Sequence, residues 1–269
     1  MKDHKLIGRG RTAEIYHYEE EKVLKLFNKG FPEPIIDYEF KINRIVQEKF
    51  PFTPNIYDKI IVNGRIGLVY DFIPGPSLSD VFFQKPFRMF SLIKQLVNLQ
   101  VKMHEIKVPE LKSQLVYLKE SIKNVDLLDE STKAQILNQI ESLPDGDRLC
   151  HQDFHIENII YSPKGLIVID WMTARRGHPL GDVARTRYFI GFSAPIDKIP
   201  FFLRLPLKFA RLIGRKYYES QYCQLTNYSK KEMKKWELVT LASRLDENIP
   251  EEKNFLLKKI NLLVKKLEK

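Results

Sequence analysis

Over roughly the first 72 residues the apolar positions read as strands with one helix among them, and after them helical spacing near 3.6 dominates. Lys22-Val-Leu-Lys25-Leu-Phe27 sets branched and aromatic residues between polar ones, which predicts a strand. Leu6-Ile7 leads into Gly8-Arg-Gly10-Arg-Thr12-Ala-Glu-Ile-Tyr16, a glycine-bearing turn that enters another strand. Ile56 to Val62 and Arg65 to Phe72 read as two strands joined by Asn63-Gly64, a strong signal for a two-residue hairpin. Among these strands, Pro34 suits the first turn of a helix, with Ile36, Phe40 and Ile45 on its inward face.

Pro74-Gly75-Pro76 interrupts the pattern, and helical spacing follows. Leu92, Leu96, Leu99 and Met103 fall on one helix face. Further helices are predicted over 110–123 and 132–143, the latter with Ile136 and Ile140 inward. A hairpin is predicted at 158–170. The remainder reads as helices, ending in a Lys-rich one with Phe255, Ile260, Leu263 and Leu267 on its apolar face.

Composition narrows the class. The 269 residues are 43% apolar and 29% charged, as in ordinary globular proteins. No apolar run reaches the roughly 18 residues of a membrane span, and the N-terminus lacks the apolar stretch of a secretory signal. No membrane partner is expected. Two cysteines, Cys150 and Cys223, suggest no disulfide framework, so a reducing cytoplasm is expected, with Cys150 buried and inert. The net charge of +10 is uneven: residues from 201 onward hold 16 Lys and Arg against 8 Asp and Glu, the rest 28 against 26. Solvated helix faces are the simpler explanation; an anionic substrate or a nucleic acid is the sharper one. Tyr217, Tyr218, Tyr222 and Tyr228 lie among those lysines, but no nucleic-acid motif does. A nucleic-acid partner is therefore not the expectation, although the basic region leaves it open. A monomer or weak dimer is expected.

Candidate chemistry concentrates in residues 151–170. Asn158 precedes the apolar run Ile159-Ile160-Tyr161, Ser162-Pro-Lys-Gly165 turns the chain, and Asp170 follows Leu166-Ile-Val-Ile169. Antiparallel pairing of the two runs sets Asn158 beside Asp170 at the open end. An amide oxygen beside a carboxylate suits Mg²⁺, which takes water and phosphate oxygens for the rest of its shell. Asp153, on the loop entering the hairpin, is positioned to accept a proton from an attacking hydroxyl. A zinc site at His151, Asp153 and His155 is the alternative, but that spacing fits no common zinc motif.

His151-x-Asp153-x-His155-x-x-Asn158 resembles the catalytic signature of the aminoglycoside phosphotransferase and choline kinase-like enzymes. The resemblance extends from the Gly8–Tyr16 loop through Lys25, Tyr70-Asp-Phe-Ile-Pro-Gly75 and the hairpin to Gly181-Asp182-Val-Ala-Arg. The stretch from Asp170 to Thr186 is similar to a bacterial and archaeal branch of that family. The resemblance implies an α+β, two-lobed protein-kinase-like fold: a small β-rich N-lobe, residues 1–73, binding the nucleotide, and a larger, mostly helical C-lobe, residues 74–269, carrying the catalytic loop and the substrate. It implies Asp153 as catalytic base, Asn158 and Asp170 as Mg²⁺ ligands, and Lys25 as the cation on the α- and β-phosphates. Glu39 is the implied partner of Lys25, with Glu33 as competitor. His155 stands where protein kinases carry a catalytic-loop lysine, which implies either a role near the γ-phosphate or support of the loop. Gly8, Gly10 and Thr12 resemble the flap over the phosphates. Arg9 and Arg11 at its tip depart from the family's small polar residues, and either touch phosphate or face solvent. Asp71-Phe72-Ile73 resembles the lobe connector, where backbone at Asp71 and Ile73 meets the base, with Tyr70 gating the deeper pocket. Asp182 is implied to tie down the backbone of the catalytic loop, and His104 reads as a packed histidine.

The expected function is therefore Mg²⁺-dependent transfer of the γ-phosphoryl group of ATP or GTP to a hydroxyl of a small molecule. A protein kinase is the first rival, but only eleven residues separate Asp170 from Asp182 and no Ala-Pro-Glu lies between them. A binding protein on an inactive kinase scaffold is the second, but no chemical group is missing. Asp246, Glu247, Glu251 and Glu252 either cap the final helix or line a cationic pocket. A basic substrate lobe is a poor match for a polycationic drug.

Overall fold

The computed structural model describes residues 5–192 and 201–267, with residues 201–203 by backbone alone. In chain order its elements are β1 (Leu6–Arg9), β2 (Ala13–Glu19), β3 (Lys22–Phe27), α1 (Glu33–Lys49), β4 (Ile56–Val62), β5 (Arg65–Asp71), α2 (Leu78–Gln84), α3 (Met89–His104), α4 (Gln114–Asn124) and α5 (Glu130–Glu141). There follow β6 (Arg148–Cys150), β7 (Ile159–Ser162), β8 (Gly165–Val168), β9 (Arg175–Gly177), α6 (Pro179–Phe192), α7 (Phe201–Leu225), α8 (Lys230–Lys235), α9 (Glu237–Leu245) and α10 (Pro250–Leu267). The chain divides into two compact units, Met1–Pro86 with Ile156–Ala174, and Phe87–His155 with Arg175–Lys269. The first is the small antiparallel lobe and the second the helical one.

The first unit is built on a sheet of order β1-β2-β3-β5-β4. Asn63 and Gly64 both take positive φ, 52° and 71°, the left-handed pair that closes the β4–β5 hairpin. Alternation along β3 sends Leu24 and Leu26 to one face, against Val69. Phe27 goes to the other, with Leu68, Tyr70 and Ile36 of α1. Lys25 shares the parity of Phe27 and so faces α1. That helix buries Ile36, Glu39, Ile42, Asn43 and Val46. Phe40 and Ile45, expected inward, are only half-buried. The buried stripe is rotated by one position because a carboxylate, Glu39, occupies a core position.

In the second unit α6 is buried through its first eleven residues. Leu92, Leu96, Leu99 and Met103 of α3 are all buried. The predicted helix 110–123 begins later, at Gln114, because Ser113 accepts the N–H of Val116 as its cap. The helix expected at 132–143 is α5, which starts at Glu130 behind the Asp129 cap. The last helix buries Leu256, Ile260 and Val264. Phe255 and Leu267, expected on its inner face, are exposed; Phe255 instead stacks on Phe192 at 4.2 Å.

Candidate active site

Lys25 is the centre of the first unit's polar group. Its Nζ donates to Glu39 Oε1 at 2.7 Å and to Asp170 Oδ1 at 2.8 Å. Burial works against its charge, but Asp170 and Glu39 outweigh that, and the ammonium is held protonated well above its usual range. The competitor Glu33 instead pairs with Lys59 at 2.7 Å, and Asp37 is a second partner of Lys59. Glu39 Oε1 also accepts from the Tyr70 hydroxyl at 3.0 Å, while Glu39 Oε2 is buried with no hydrogen-bond partner. Tyr70, read from the sequence only as a gate, is thus tied to the Lys25–Glu39 pair.

The hairpin of β7 and β8 supplies Asp170. Ile159 pairs with Val168, and Ile169 N–H donates to Asn158 O at 3.0 Å, so Asn158 and Asp170 end adjacent strands at the open end. Asp170 takes φ 64°, ψ 62°, a left-handed conformation that Asp tolerates better than most residues. The chain beyond it is pinned. The Trp171 indole N–H donates to Thr53 Oγ1 at 2.8 Å, its ring meets Phe50 edge-on, and Tyr38 of α1 donates to Ala174 O. The same helix therefore carries Glu39 and anchors the segment that presents Asp170. Among the described residues no group of three His, Cys, Asp or Glu side chains could hold a metal. An ion at Asn158 and Asp170 would draw its remaining ligands from water and phosphate, as Mg²⁺ does, so this donor set fits it.

The glycine loop belongs to the same unit. Gly8 sits in β1 opposite Ile15, and Gly10 N–H donates to Ala13 O at 2.9 Å. Thr12 O accepts from Asn28 N–H at 2.9 Å, which fastens the loop's far side. A Cβ at Gly8 or Gly10 would meet only ordinary contacts, 3.7 and 3.6 Å away, so the protein's own packing does not require glycine there. Arg9 is engaged by Glu14 at 3.2 Å. Asp71 ends β5 with its carboxylate accepting from Asn55 and Tyr57, and its N–H on Asn55 O. Ile73, two residues on, is half-exposed.

The second unit holds Asp153. Its Oδ2 lies 3.4 Å from His155 Nε2 and its Oδ1 3.7 Å from Arg185 Nη2. Burial raises its pKa, but hydrogen bonding and charge at His155, with Arg185 and His151, outweigh it and hold the carboxyl well below the usual carboxylate range. The His155 ring packs on Phe189 at 4.8 Å. His151 is fully buried, and its Nδ1 accepts the Asp153 N–H at 3.2 Å, a loop-supporting role in place of the zinc alternative.

The loop's backbone is hung from buried side chains. Gln152, at φ 66°, donates its N–H to Asp182 Oδ1 at 2.6 Å. Asp182 Oδ2 also meets Gln100 Nε2 and His104 Nε2, each at 3.0 Å. Burial opposes its charge, but the His104 and Gln100 bonds hold its pKa low. Thr186 Oγ1 donates to Phe154 O at 2.9 Å, and His104 Nδ1 pairs with the Tyr222 hydroxyl at 2.7 Å. Arg185 and Thr186 close the Asp170–Thr186 stretch that carries the resemblance, yet neither is marked by its motif as a site residue. The signal that could have found them is a run of charged and hydroxyl residues in a helix start with no polar face. Cys150 is buried and its thiol pushed well up by that burial, as an inert cysteine should be.

Two members of the acidic cluster, Glu247 and Glu252, are engaged by side chains of the same unit. Glu251 and Glu252 stand in the first turn of α10. Glu247 pairs with Arg185 and Arg244, and Glu252 accepts from Arg244 Nε at 2.8 Å and from Tyr188 at 2.7 Å. Of the four tyrosines among the lysines, Tyr218 and Tyr222 are buried in the core, while Tyr217 and Tyr228 are half-buried against Phe90 and His178.

The fold and these groups define a phosphotransferase of the protein-kinase-like class. The chain belongs to the phosphotransferase enzyme family, whose sequence model matches residues 3–201. An amicoumacin kinase, solved with AMP-PNP, Ca²⁺ and amicoumacin, is similar in fold at TM-score 0.64 and 14% identity, over 98% of this chain and 89% of that one. A type VIII aminoglycoside-3'-phosphotransferase gives 0.58 at 14%, over 90% and 93%. An aminoglycoside phosphotransferase of Streptomyces rimosus, solved with ADP and streptomycin, gives 0.58 at 12%, over 89% and 92%. Among curated proteins, acyl-CoA dehydrogenase family member 11 of Pongo abelii is 41% identical over 56 residues, which is 19% of this chain and 7% of that protein's length. No helix among the described residues is long and apolar enough to cross a membrane.

Proposed function

We propose that this chain transfers the γ-phosphoryl group of ATP or GTP to a hydroxyl of a small molecule, with Asp153 as the base. The observation that carries the reading is Lys25 braced by both Glu39 and Asp170, a cation set between a helix carboxylate and the carboxylate offered to a metal. In this reading residues 1–73 hold the nucleotide under the Gly8–Thr12 flap, its base against the backbone of Asp71 and Ile73. Residues 74–269 hold the acceptor. Lys25 neutralises the α- and β-phosphates. Asn158 and Asp170 would hold Mg²⁺, which would supply charge neutralisation on the phosphate oxygens. The acceptor oxygen attacks the γ-phosphorus, the bond from that phosphorus to the β–γ bridging oxygen breaks, and the hydroxyl proton passes to an Asp153 oxygen. Asp153 is ionised at neutral pH and so ready to take it. His155 orients that carboxylate. The nucleotide complexes of the fold neighbours support a nucleotide donor.

The acceptor is a neutral or anionic hydroxyl compound in preference to a polycation, since Glu247 and Glu252 are already engaged by Arg185 and Arg244. A screen of ATP and GTP consumption over aminoglycosides, choline-like alcohols, sugars, nucleosides and hydroxy acids, run beside Asp153→Ala, tests the assignment. Turnover on one class, abolished by the substitution, is expected. No turnover on any class, or turnover that survives Asp153→Ala, overturns it.

A further inference from the structure

The first turns of α7 carry a feature that phosphoryl transfer does not use. Residues 201–218 contain five basic side chains, Arg204, Lys208, Arg211, Arg215 and Lys216, and no acidic one. The first four fall at i, i+4, i+7 and i+11, so they line one face. Leu205, Phe209 and Leu212 fall at i, i+4 and i+7 on the adjoining face, and are 63%, 57% and 40% exposed. A stripe of large apolar side chains beside a basic one is the pattern of helices that lie in a membrane interface.

Packing explains why this stripe is bare. Alpha-3 and α7 run side by side in the same direction: Gly214 lies against Met89 and Ile93, Tyr217 against Phe90, Tyr218 bonds Gln100, and Tyr222 bonds His104. Gly214 is thus level with the start of α3, and the three turns before it pass beyond that helix. Phe87, just ahead of α3, is fully exposed and Phe90 is 46% exposed, so apolar surface continues past α7 itself. Patches of this kind mark interaction sites. On the other side of the stripe, Lys208, Arg211 and Arg215 line a cleft with Gly191 and Leu212. Arg215 Nε is buried without a hydrogen bond, 3.8 Å from Glu219.

We propose that this face of α7 docks on an anionic phospholipid surface, with Leu205, Phe209 and Leu212 entering the headgroup boundary and a lipid phosphate among Lys208, Arg211 and Arg215. The chemistry favours lipid over nucleic acid. The apolar stripe enters a headgroup layer through aliphatic and aromatic side chains alike, Leu205 and Leu212 beside Phe209. Of the four tyrosines that would stack on bases, Tyr218 and Tyr222 are in the core, and the half-buried Tyr217 and Tyr228 rings pack on Phe90 and His178. Such docking is peripheral and needs no spanning helix.

The test is co-sedimentation of the full chain with vesicles of phosphatidylcholine alone, and of phosphatidylcholine mixed equally with phosphatidylglycerol. Binding to the mixed vesicles only is expected, weakened by about fivefold for each of Lys208→Gln and Arg211→Gln. Leu205→Ser with Phe209→Ser should release the protein. All four positions are at least partly exposed, so an unchanged melting temperature separates lost docking from lost folding. Equal binding to both vesicle types, or undiminished binding by the charge variants, overturns the proposal. So does complete displacement by inorganic phosphate at matched ionic strength, which would assign the cleft to a soluble anion. Displacement by an RNA oligonucleotide at matched ionic strength, without phosphatidylglycerol dependence, would also overturn it, in favour of nucleic acid.

Discussion

In the sheet unit, Lys25 is held by two side chains of opposite charge, Glu39 and Asp170. In the helical unit, Asp153 is placed mainly through its backbone neighbours: the N–H of Gln152 on Asp182 and the carbonyl of Phe154 on Thr186. The difference lies in what a ligand can disturb. In the proposed function, phosphate and metal would compete for the same charges that hold Lys25, which makes that arrangement exchangeable. Nothing a substrate carries competes for a buried Gln152 N–H. If Asp153 is the base, as proposed, it is fixed before any ligand arrives, whereas the Lys25 ammonium is held by exchangeable partners.

Four outcomes would break or sharpen this contrast. The largest concerns the proposed base: Asp153→Asn should lower turnover by about 10²–10⁴ while nucleotide affinity, measured by calorimetry, stays unchanged. A parallel loss of nucleotide binding would mean that Asp153 serves the donor. Next, Lys25→Met leaves Glu39 buried without its cation and should cost about 3–5 kcal/mol in urea unfolding. Adding Glu39→Leu should recover much of that. If the single variant is as stable as wild type, the brace is not the buried pair described.

Asp182→Asn weakens the loop's suspension and should cost about 1–3 kcal/mol, with kcat falling more than KM rises. Equal effects on both would place Asp182 in substrate binding. The smallest effect is on the pH profile. As the proposed base Asp153 would act when ionised, and its pKa is depressed, so activity should be present above that pKa and fall as pH drops through it, below the ordinary carboxylate range. Of the groups that offset burial there, His155 is the foremost. In His155→Ala the acid limb of kcat/KM should therefore move up in pH, and an unmoved limb would remove His155 from this role.

Much of this was legible in the sequence, for identifiable reasons. Asn63-Gly64 announces its hairpin because so few dipeptides tolerate paired positive φ angles. Asn158 and Asp170 could be set side by side because antiparallel pairing across a short turn admits little else. Lys25 was flagged by a charge inside an apolar strand. Glu39 over Glu33 was harder, and the face of α1 was misjudged with it, since apolar periodicity does not register a buried carboxylate. The inner face of α10 was misread because Phe255 is apolar yet turned to Phe192 instead of the core. Tyr70 as a partner of Glu39, and Thr186 as a partner of Phe154 O, depend on contacts across 31 and 32 residues that no local pattern encodes.

The boundary between the two units falls between His155 and Ile156, inside the motif, and the chain leaves the sheet unit at Pro86 to return only at Ile156. On a ribosome this sets an order of assembly. The strands and α1 emerge first, and Lys25 can meet Glu39 early. Asp170 follows only after the 69 residues from Phe87 to His155 have been made. Through that interval the nascent sheet carries a lysine with one of its two carboxylates and lacks the Trp171 ring that packs on Phe50, so it is the stretch of synthesis in which this unit is most open to misfolding and to chaperones.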